Sequence, residues 1–161
     1  MTELKIHPHV LAMMICDQVI IDARTGKQSI IGSFSVINAQ RFPLRYPCMM
    51  VYVALTEGRG QTPLQLRLVD LNEEEKPVVD RALSINFQDP RQVAELHSVF
   101  YNLVFPNPGE YRFQLFSQGE PLMERRLMVR KVEPRRPGQG GGPMPGPGQM
   151  FPPPSEPPAG S

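Results

Sequence analysis

Tryptophan is absent from this 161-residue chain, and aromatic residues make up only 7% of it. Proteins that stack sugars or nucleobases need exposed aromatic rings, so a stacking platform is poorly supplied here. Lys and Arg total 17 and Asp and Glu total 16, which gives a formal net charge of +1. Because binding through phosphate contacts normally requires a basic surplus, we expect no nucleic-acid partner.

Long hydrophobic runs are also missing. The longest apolar run in the first third of the chain covers residues 10–16, whereas a transmembrane helix needs roughly 18 or more apolar residues. This run is also short for a signal peptide, Asp17 follows it directly, and no small-residue cleavage site is present. We therefore expect no membrane insertion and a cytoplasmic protein.

Cysteine and histidine are scarce. Cys16 and Cys48 are expected to be free buried thiols in a reducing compartment. A disulfide between them is the alternative that the sequence leaves open. His7 and His9 lie two residues apart, but His97 is the only other histidine, and zinc needs three or four ligands. We therefore predict no metal.

Motifs for catalysis or cofactor binding are lacking. The chain has no nucleophile elbow, no Cys–His pair and no glycine-rich cofactor loop. Gly26-Lys27 lacks the upstream glycine and the following helix of a P-loop. The acidic segment 70–75 lacks the glycine and terminal glutamate of an EF-hand loop, and we interpret it as a solvated turn rather than a calcium site. We predict no cofactor and no enzymatic activity.

Composition divides the chain after Val132. Residues 133–161 include 10 Pro and 7 Gly, and such a segment cannot bury enough surface to offset the entropy of ordering it. We predict a disordered Pro/Gly-rich tail over 133–161 and one domain over 1–132. Residues 151–154 favour polyproline II, so the tail is either a solubilising segment or a ligand for an aromatic-lined groove.

Residues 1–132 alternate apolar and polar side chains with the period of a β-strand. The predicted strands are 10–22, 28–37, 48–56, 64–71, 78–87, 98–105, 111–117 and 122–131. Residues 49–55 are apolar on both faces, which indicates a central strand. One short helix is predicted over 89–95, with Asp89 as its cap and Pro90 in its first turn. The pattern predicts an all-β, immunoglobulin-like antiparallel β-sandwich of about eight strands with one short helix.

Residues 107–113, with the sequence NPGEYRF, resemble the tyrosine corner of immunoglobulin-like sandwiches. In that motif a tyrosine at the start of a strand bonds the preceding backbone through its hydroxyl, and Tyr111 occupies the matching position. The alternative is a tyrosine that merely opens a strand.

Asp17 is the unusual residue of the first predicted strand, because it interrupts an apolar run. If residues 23–26 form a hairpin loop, Asp22 faces Lys27 and Asp17 lies opposite Gly32. A buried lone carboxylate is costly, so we predict either a bonded Asp17 or a local bulge that turns it away. Gly32 would let the backbone approach and offer an amide to the carboxylate. No catalytic partner lies nearby in the sequence, so we interpret Asp17 as structural.

These elements resemble a family of small bacterial proteins that is catalogued only as a domain of unknown function. The resemblance covers about residues 10 to 130, and the tail lies outside it. It depends on Cys16-Asp17, on Thr25-Gly26-Lys27, on the Ile-Gly-Ser-Phe run that contains Gly32 and Phe34, and on Phe42-Pro43. It implies a compact β-sandwich and assigns no activity and no functional residue.

The hypothesis that follows is a non-enzymatic cytoplasmic interaction or scaffold module, which binds a protein partner through a sheet edge, loops or the tail. The alternative is a small-ligand-binding sandwich with a pocket between the sheets or among the loops. A basic outer edge is also predicted for the last strand, where it either meets an acidic partner or membrane surface, or prevents pairing with other chains. Its residues are Arg125, Arg126, Arg130, Lys131, Arg135 and Arg136.

Overall fold

The computed structural model describes residues 6–134, which form nine β-strands and one turn of 3-10 helix. The strands are β1 (His9–Ile21), β2 (Gln28–Ser33), β3 (Val36–Ala39), β4 (Leu44–Thr56), β5 (Gly60–Asp70), β6 (Lys76–Phe87), β7 (Ala94–Phe105), β8 (Gly109–Ser117) and β9 (Glu120–Lys131). The 3-10 turn, Leu71–Glu73, lies between β5 and β6.

The strands form two sheets. Sheet A has the order β2-β1-β4-β7, and sheet B has the order β3-β9-β8-β5-β6. The chain crosses from sheet A to sheet B at Phe34 and Ser35, between β2 and β3. The β3–β9 pair is parallel, and the other pairs are antiparallel. The predicted all-β, immunoglobulin-like sandwich is confirmed.

The core lies between the two sheets and follows the predicted alternation. Leu64, Leu66 and Leu68 of β5 point into it. Strand β4 is buried on both faces, as expected for a central strand: four of its residues enter the core, and three join a second cluster on the outer face of sheet A. The four are Met49, Val51, Val53 and Leu55, and the three are Met50, Tyr52 and Ala54.

The structure corrects two of the predicted elements. The predicted strand 28–37 is two strands, because the chain changes sheets at Phe34 and Ser35. The helix predicted over 89–95 is wrong. Asp89 instead holds a tight turn, since its Oδ1 accepts from Arg91 N (2.8 Å) and its carbonyl accepts from Gln92 N (3.0 Å). An Asp-Pro pair suits a turn as well as a helix start, and β7 begins at Ala94.

In residues 6–134 no helix has the length and apolar character needed to cross a membrane.

Candidate functional site

Asp17 lies on the surface, so of the two predicted alternatives the one in which a local irregularity turns its side chain away from the core agrees with the structure. Its Oδ1 is 3.5 Å from the Tyr46 hydroxyl, and within residues 6–134 no cation lies within 4.0 Å of it. Burial raises the pKa of Tyr46, and the charge of Asp17 raises it further. Within residues 6–134 no imidazole and no second carboxylate forms a hydrogen bond with Asp17, so the arrangement does not resemble an acid–base pair.

Gly32 lies opposite Asp17 in the β1–β2 pair. Cys16 pairs with Ser33 and Gln18 with Ile31, so Asp17 lies opposite Gly32 as predicted, without a register shift. Gly32 has φ +66°, a left-handed conformation that changes the direction of the strand's side chains. In β1 the alternation also changes near this point: Ile15 faces the core, while Val19, four residues later, packs on the outer face of sheet A.

Asp17→Asn is expected to change the free energy of unfolding by less than about 0.5 kcal/mol, because an exposed carboxylate with one long hydrogen bond contributes little. Urea unfolding at neutral pH measures this. A loss of several kcal/mol would mean that the carboxylate is buried and bonded after all.

Gly32→Ala is expected to lower the free energy of unfolding by about 1–3 kcal/mol, because a side chain is strained at a positive φ. A Cβ at this position would also overlap the Asp17 carboxylate. Adding Asp17→Ala should recover the part of the stability loss that comes from this overlap. Gly26→Ala is the control for the backbone strain alone, because a Cβ at Gly26 would meet nothing within 4 Å. Equal losses at both glycines, with no recovery in the double variant, would exclude the overlap.

Gly26 and Lys27 belong to a tight turn rather than to an anion site. Asp22 N donates to Lys27 O (2.9 Å), and Gly26 N donates to Asp22 O (2.8 Å). The Asp22 carboxylate accepts from Thr25 N (3.0 Å) and Arg24 N (2.8 Å), and these two bonds lower its pKa. The predicted pairing of Asp22 with Lys27 is confirmed, and the amides at the turn bond a carboxylate of the chain itself.

Both cysteines are free thiols. Cys16 is fully buried, and its Sγ is 3.7 Å from Met50 O. Burial raises the pKa of the Cys16 thiol, and the neighbouring Asp17 charge raises it further. Because the thiolate is the reactive form, Cys16 is an inert core residue. Cys48 is half-buried on β4.

Tyr111 has the geometry of a tyrosine corner. Its side chain is fully buried, and its hydroxyl donates to Asn107 O at 2.7 Å. Its ring meets Phe105 edge-on, with centroids 4.9 Å apart. Burial raises the pKa of Tyr111 to about 12. Phe34, also singled out in the sequence, is half-buried beside Tyr46, with ring centroids 5.9 Å apart.

Alkaline pH is expected to destabilise the fold between about pH 10 and pH 12. The pKa of Tyr111 is about 12, as is that of Tyr52, which burial and a hydrogen bond to Glu95 raise. Tyrosine ionises near 10 in the unfolded chain, so the unfolded state loses these protons first and stability falls as pH rises. Urea unfolding from pH 8 to 12 tests this: Tyr111→Phe should flatten the decline, whereas Tyr101→Phe, at a 69% exposed residue, should not. A decline that is identical in both variants would contradict the assignment.

The histidines and the acidic turn, considered in the sequence as possible metal ligands, do not come together in one site. His9 pairs with Thr56 and His97 with Tyr52, at different places along β4. The buried Asp70 accepts from the backbone and side-chain amides of Asn72 through Oδ1. In the described part of the chain no three histidine, cysteine or acidic residues are grouped so as to hold a metal ion.

Two arginines of sheet B form hydrogen bonds to sheet A, one on each side of the sandwich. On one side, Arg81 of β6 donates to Ser98 Oγ (2.8 Å) and to Val99 O (2.6 Å) on β7. On the other, Arg125 Nε of β9 donates to Met13 O of β1 at 2.6 Å. Arg81 was not predicted from the sequence, although it lies on the same face of its strand as Leu83, Ile85 and Phe87 and so points between the sheets.

A cleft of about 530 Å³ lies beside Arg125, where β1 faces β9 and the chain changes sheets. Met13, Met14, Ile15, Ser33, Phe34, Ser35, Arg125 and Arg126 line it. The predicted basic outer edge is therefore only partly correct. Arg125 and Arg126 face the cleft, but Arg130 and Lys131 lie in a strand that β3 covers. Arg135 and Arg136 lie outside the described residues.

Beyond Cys16, β1 and β2 form a two-stranded arm. The pairing of β1 with β4 ends at Cys16, whereas its pairing with β2 continues to Ile21. Ile20, Ile21 and Ile31 on this arm are 43%, 52% and 44% exposed. Among residues 6–134, the arm therefore presents an apolar surface and an edge of β2 that pairs with no other strand.

Comparison with solved structures finds partial similarity to the following three chains. The alkylpurine DNA glycosylase AlkC of Pseudomonas fluorescens, bound to DNA containing an abasic site analog, has a TM-score of 0.47 and 11% identity, covering 78% of this chain and 31% of that one. An immunoglobulin-like protein of Pseudomonas aeruginosa has a TM-score of 0.38 and 15% identity, covering 77% and 97%. A β-glucosidase of Listeria innocua has a TM-score of 0.41 and 9% identity, covering 76% and 16%.

This chain thus spans 31% of the glycosylase chain and 16% of the glucosidase chain. No curated protein matches the sequence. A family model does match, over residues 11–130, and this chain belongs to the family of unknown function DUF6941.

Proposed function

We propose that this protein is a non-enzymatic interaction module of the bacterial cytoplasm, which binds a protein partner at the free edge of β2. The free thiols of Cys16 and Cys48 support a reducing compartment. Balanced charge supports a protein rather than a nucleic acid as partner.

The observation that carries this proposal is the unprotected edge of β2. Its sequence, QSIIGS, contains no charge and no proline, and Ile31 is 44% exposed. Proteins usually protect an edge with charges, proline, a bulge or a short strand, because a free edge pairs readily with another chain.

The three other outer strands have such protection. Strand β6 carries Lys76, Pro77 and Asp80. Strand β7 carries the charged residue Glu95, and β3 has only four residues. The contrast supports a role for β2 in binding.

The backbone of β2 also has groups available for a partner. Lys27 O accepts a hydrogen bond from Asp22 N. Because backbone groups in an antiparallel pair alternate in direction, Ser29 and Ile31 also direct their backbone groups toward β1. Gln28 and Ile30 direct their amide and carbonyl groups outward. A partner strand would bond to these groups and cover the exposed isoleucines of the arm. The Pro-rich tail, in residues outside the described range, would supply a second contact and increase avidity.

The test is affinity capture from a bacterial lysate, comparing the wild-type chain with Ile31→Lys, which places a charge at the edge. Val93→Lys is the matched control, because Val93 is an exposed apolar residue (54%) away from β2. We expect Ile31→Lys to lose the captured partner and Val93→Lys to retain it. Equal capture of the partner by both variants would refute the β2 edge as the binding surface. Comparing capture by chains with and without residues 133–161 measures the contribution of the tail.

A second candidate function, small-ligand binding, is supported by the cleft between β1 and β9. Its volume of about 530 Å³ lies within the range of typical ligand sites, roughly 300–1,000 Å³.

A further inference from the structure

We infer that the cleft between β1 and β9 binds a small organic acid, whose carboxylate pairs with Arg125. This inference deepens the second candidate function. It is tested separately from partner binding at β2, because the proposed edge contacts are made by Gln28, Ile30 and Ile31, whereas Ser33 is the residue of β2 that lines the cleft.

Among the described residues, the cleft contains one arginine, Arg125, whose charge is not neutralised by a neighbouring carboxylate. Arg126 is already paired, since its Nε is 3.1 Å from Glu110 Oε1. Arg125, by contrast, has no carboxylate within 4.0 Å in the part of the chain that the structure describes. One unneutralised guanidinium in a cleft favours one negative charge on the ligand.

The Arg125 side chain is also held in a fixed orientation. Its Nε is bonded to Met13 O at 2.6 Å, which anchors the guanidinium plane against β1. Both terminal nitrogens remain for a ligand, and their planar geometry matches the two oxygens of a carboxylate. An anchored guanidinium loses less conformational entropy when it binds than a free surface arginine does.

The rest of the lining defines the body of the ligand. Ser33 and Ser35 are exposed and offer hydroxyl groups at the crossing between sheets. Met14, Ile15 and Phe34 contribute an apolar wall. This combination fits a carboxylate joined to a compact apolar group, and neither an inorganic ion nor a neutral hydrocarbon would use both parts of the cleft.

Benzoate and benzamide are suitable probes, because they have nearly the same shape and differ in charge. We would titrate each into the full-length chain at constant ionic strength, and follow backbone amides and the Arg125 Nε–H by NMR. Benzoate should cause saturable shifts at residues 33–35 and at Arg125, with an affinity at least roughly tenfold above that of benzamide. Equal affinities, or shifts that do not saturate, would overturn the inference.

Two variants test the assigned residue. Arg125→Gln should weaken benzoate binding by roughly tenfold or more, whereas Arg130→Gln, an exposed residue of the same strand outside the cleft lining, should leave it unchanged. A folded Arg125→Gln variant that binds benzoate like the wild type would overturn the inference. If Arg125→Gln does not fold, the contrast between benzoate and benzamide in the wild-type chain still decides the outcome.

Discussion

Replacing Tyr111 by alanine is expected to lower the free energy of unfolding by about 3–5 kcal/mol. Its side chain is fully buried and contacts Phe105 edge-on. Removing the ring leaves a cavity between the sheets, and removing the hydroxyl leaves Asn107 O without its hydrogen bond. Urea unfolding monitored by circular dichroism measures the loss.

Tyr101→Ala is the matched control, because Tyr101 is 69% exposed, and we expect it to cost less than about 0.5 kcal/mol. Tyr111→Phe separates the hydroxyl from the ring and should cost about 1–3 kcal/mol. If Tyr111→Phe were as stable as the wild type, the bond to Asn107 O would not hold the corner, and the tyrosine would merely open a strand.

Arg81→Ala is expected to lower the free energy of unfolding by about 2–3 kcal/mol. The guanidinium joins β6 to β7 through Ser98 Oγ and Val99 O, and it lies 4.3 Å from the centroid of the Phe100 ring. The substitution removes these bonds at a half-buried position and leaves the buried Ser98 without a donor.

Arg91→Ala is the control for this prediction. The Arg91 side chain is 92% exposed and pairs with Asp89 two residues away, so its loss should cost less than about 0.5 kcal/mol. Chemical denaturation of the two variants under the same conditions compares them. Equal stabilities would show that Arg81 does not join the sheets.

Local patterns predicted much of the fold, because strand alternation and turn chemistry depend on residues near one another. The pairing of Asp22 with Lys27 and of Asp17 with Gly32 follows from the loop length alone. The burial of β4 on both faces follows from its continuous apolar run.

Features that depend on distant pairing were not predictable in the same way. Regular alternation would place Asp17 on the same face as Ile15 and Val19, but these two residues pack on opposite faces of sheet A, so the strand is irregular beside Asp17. The parallel pairing of β3 with β9 joins segments about 90 residues apart in the sequence. Because no local pattern indicates this pairing, β9 was predicted to be an edge strand with a basic outer edge. The cleft forms only where β1 and β9 face each other across the two sheets, and no local motif encodes that meeting.

The strand edge of β2 is the central claim of the proposed function, and hydrogen exchange tests it most directly. With the captured partner bound to the full-length chain, the amides of Gln28 and Ile30 should exchange far more slowly than in the free protein, since a partner strand would bond to them. Unchanged exchange at these two amides, with slowing confined to other parts of the molecule, would contradict the account.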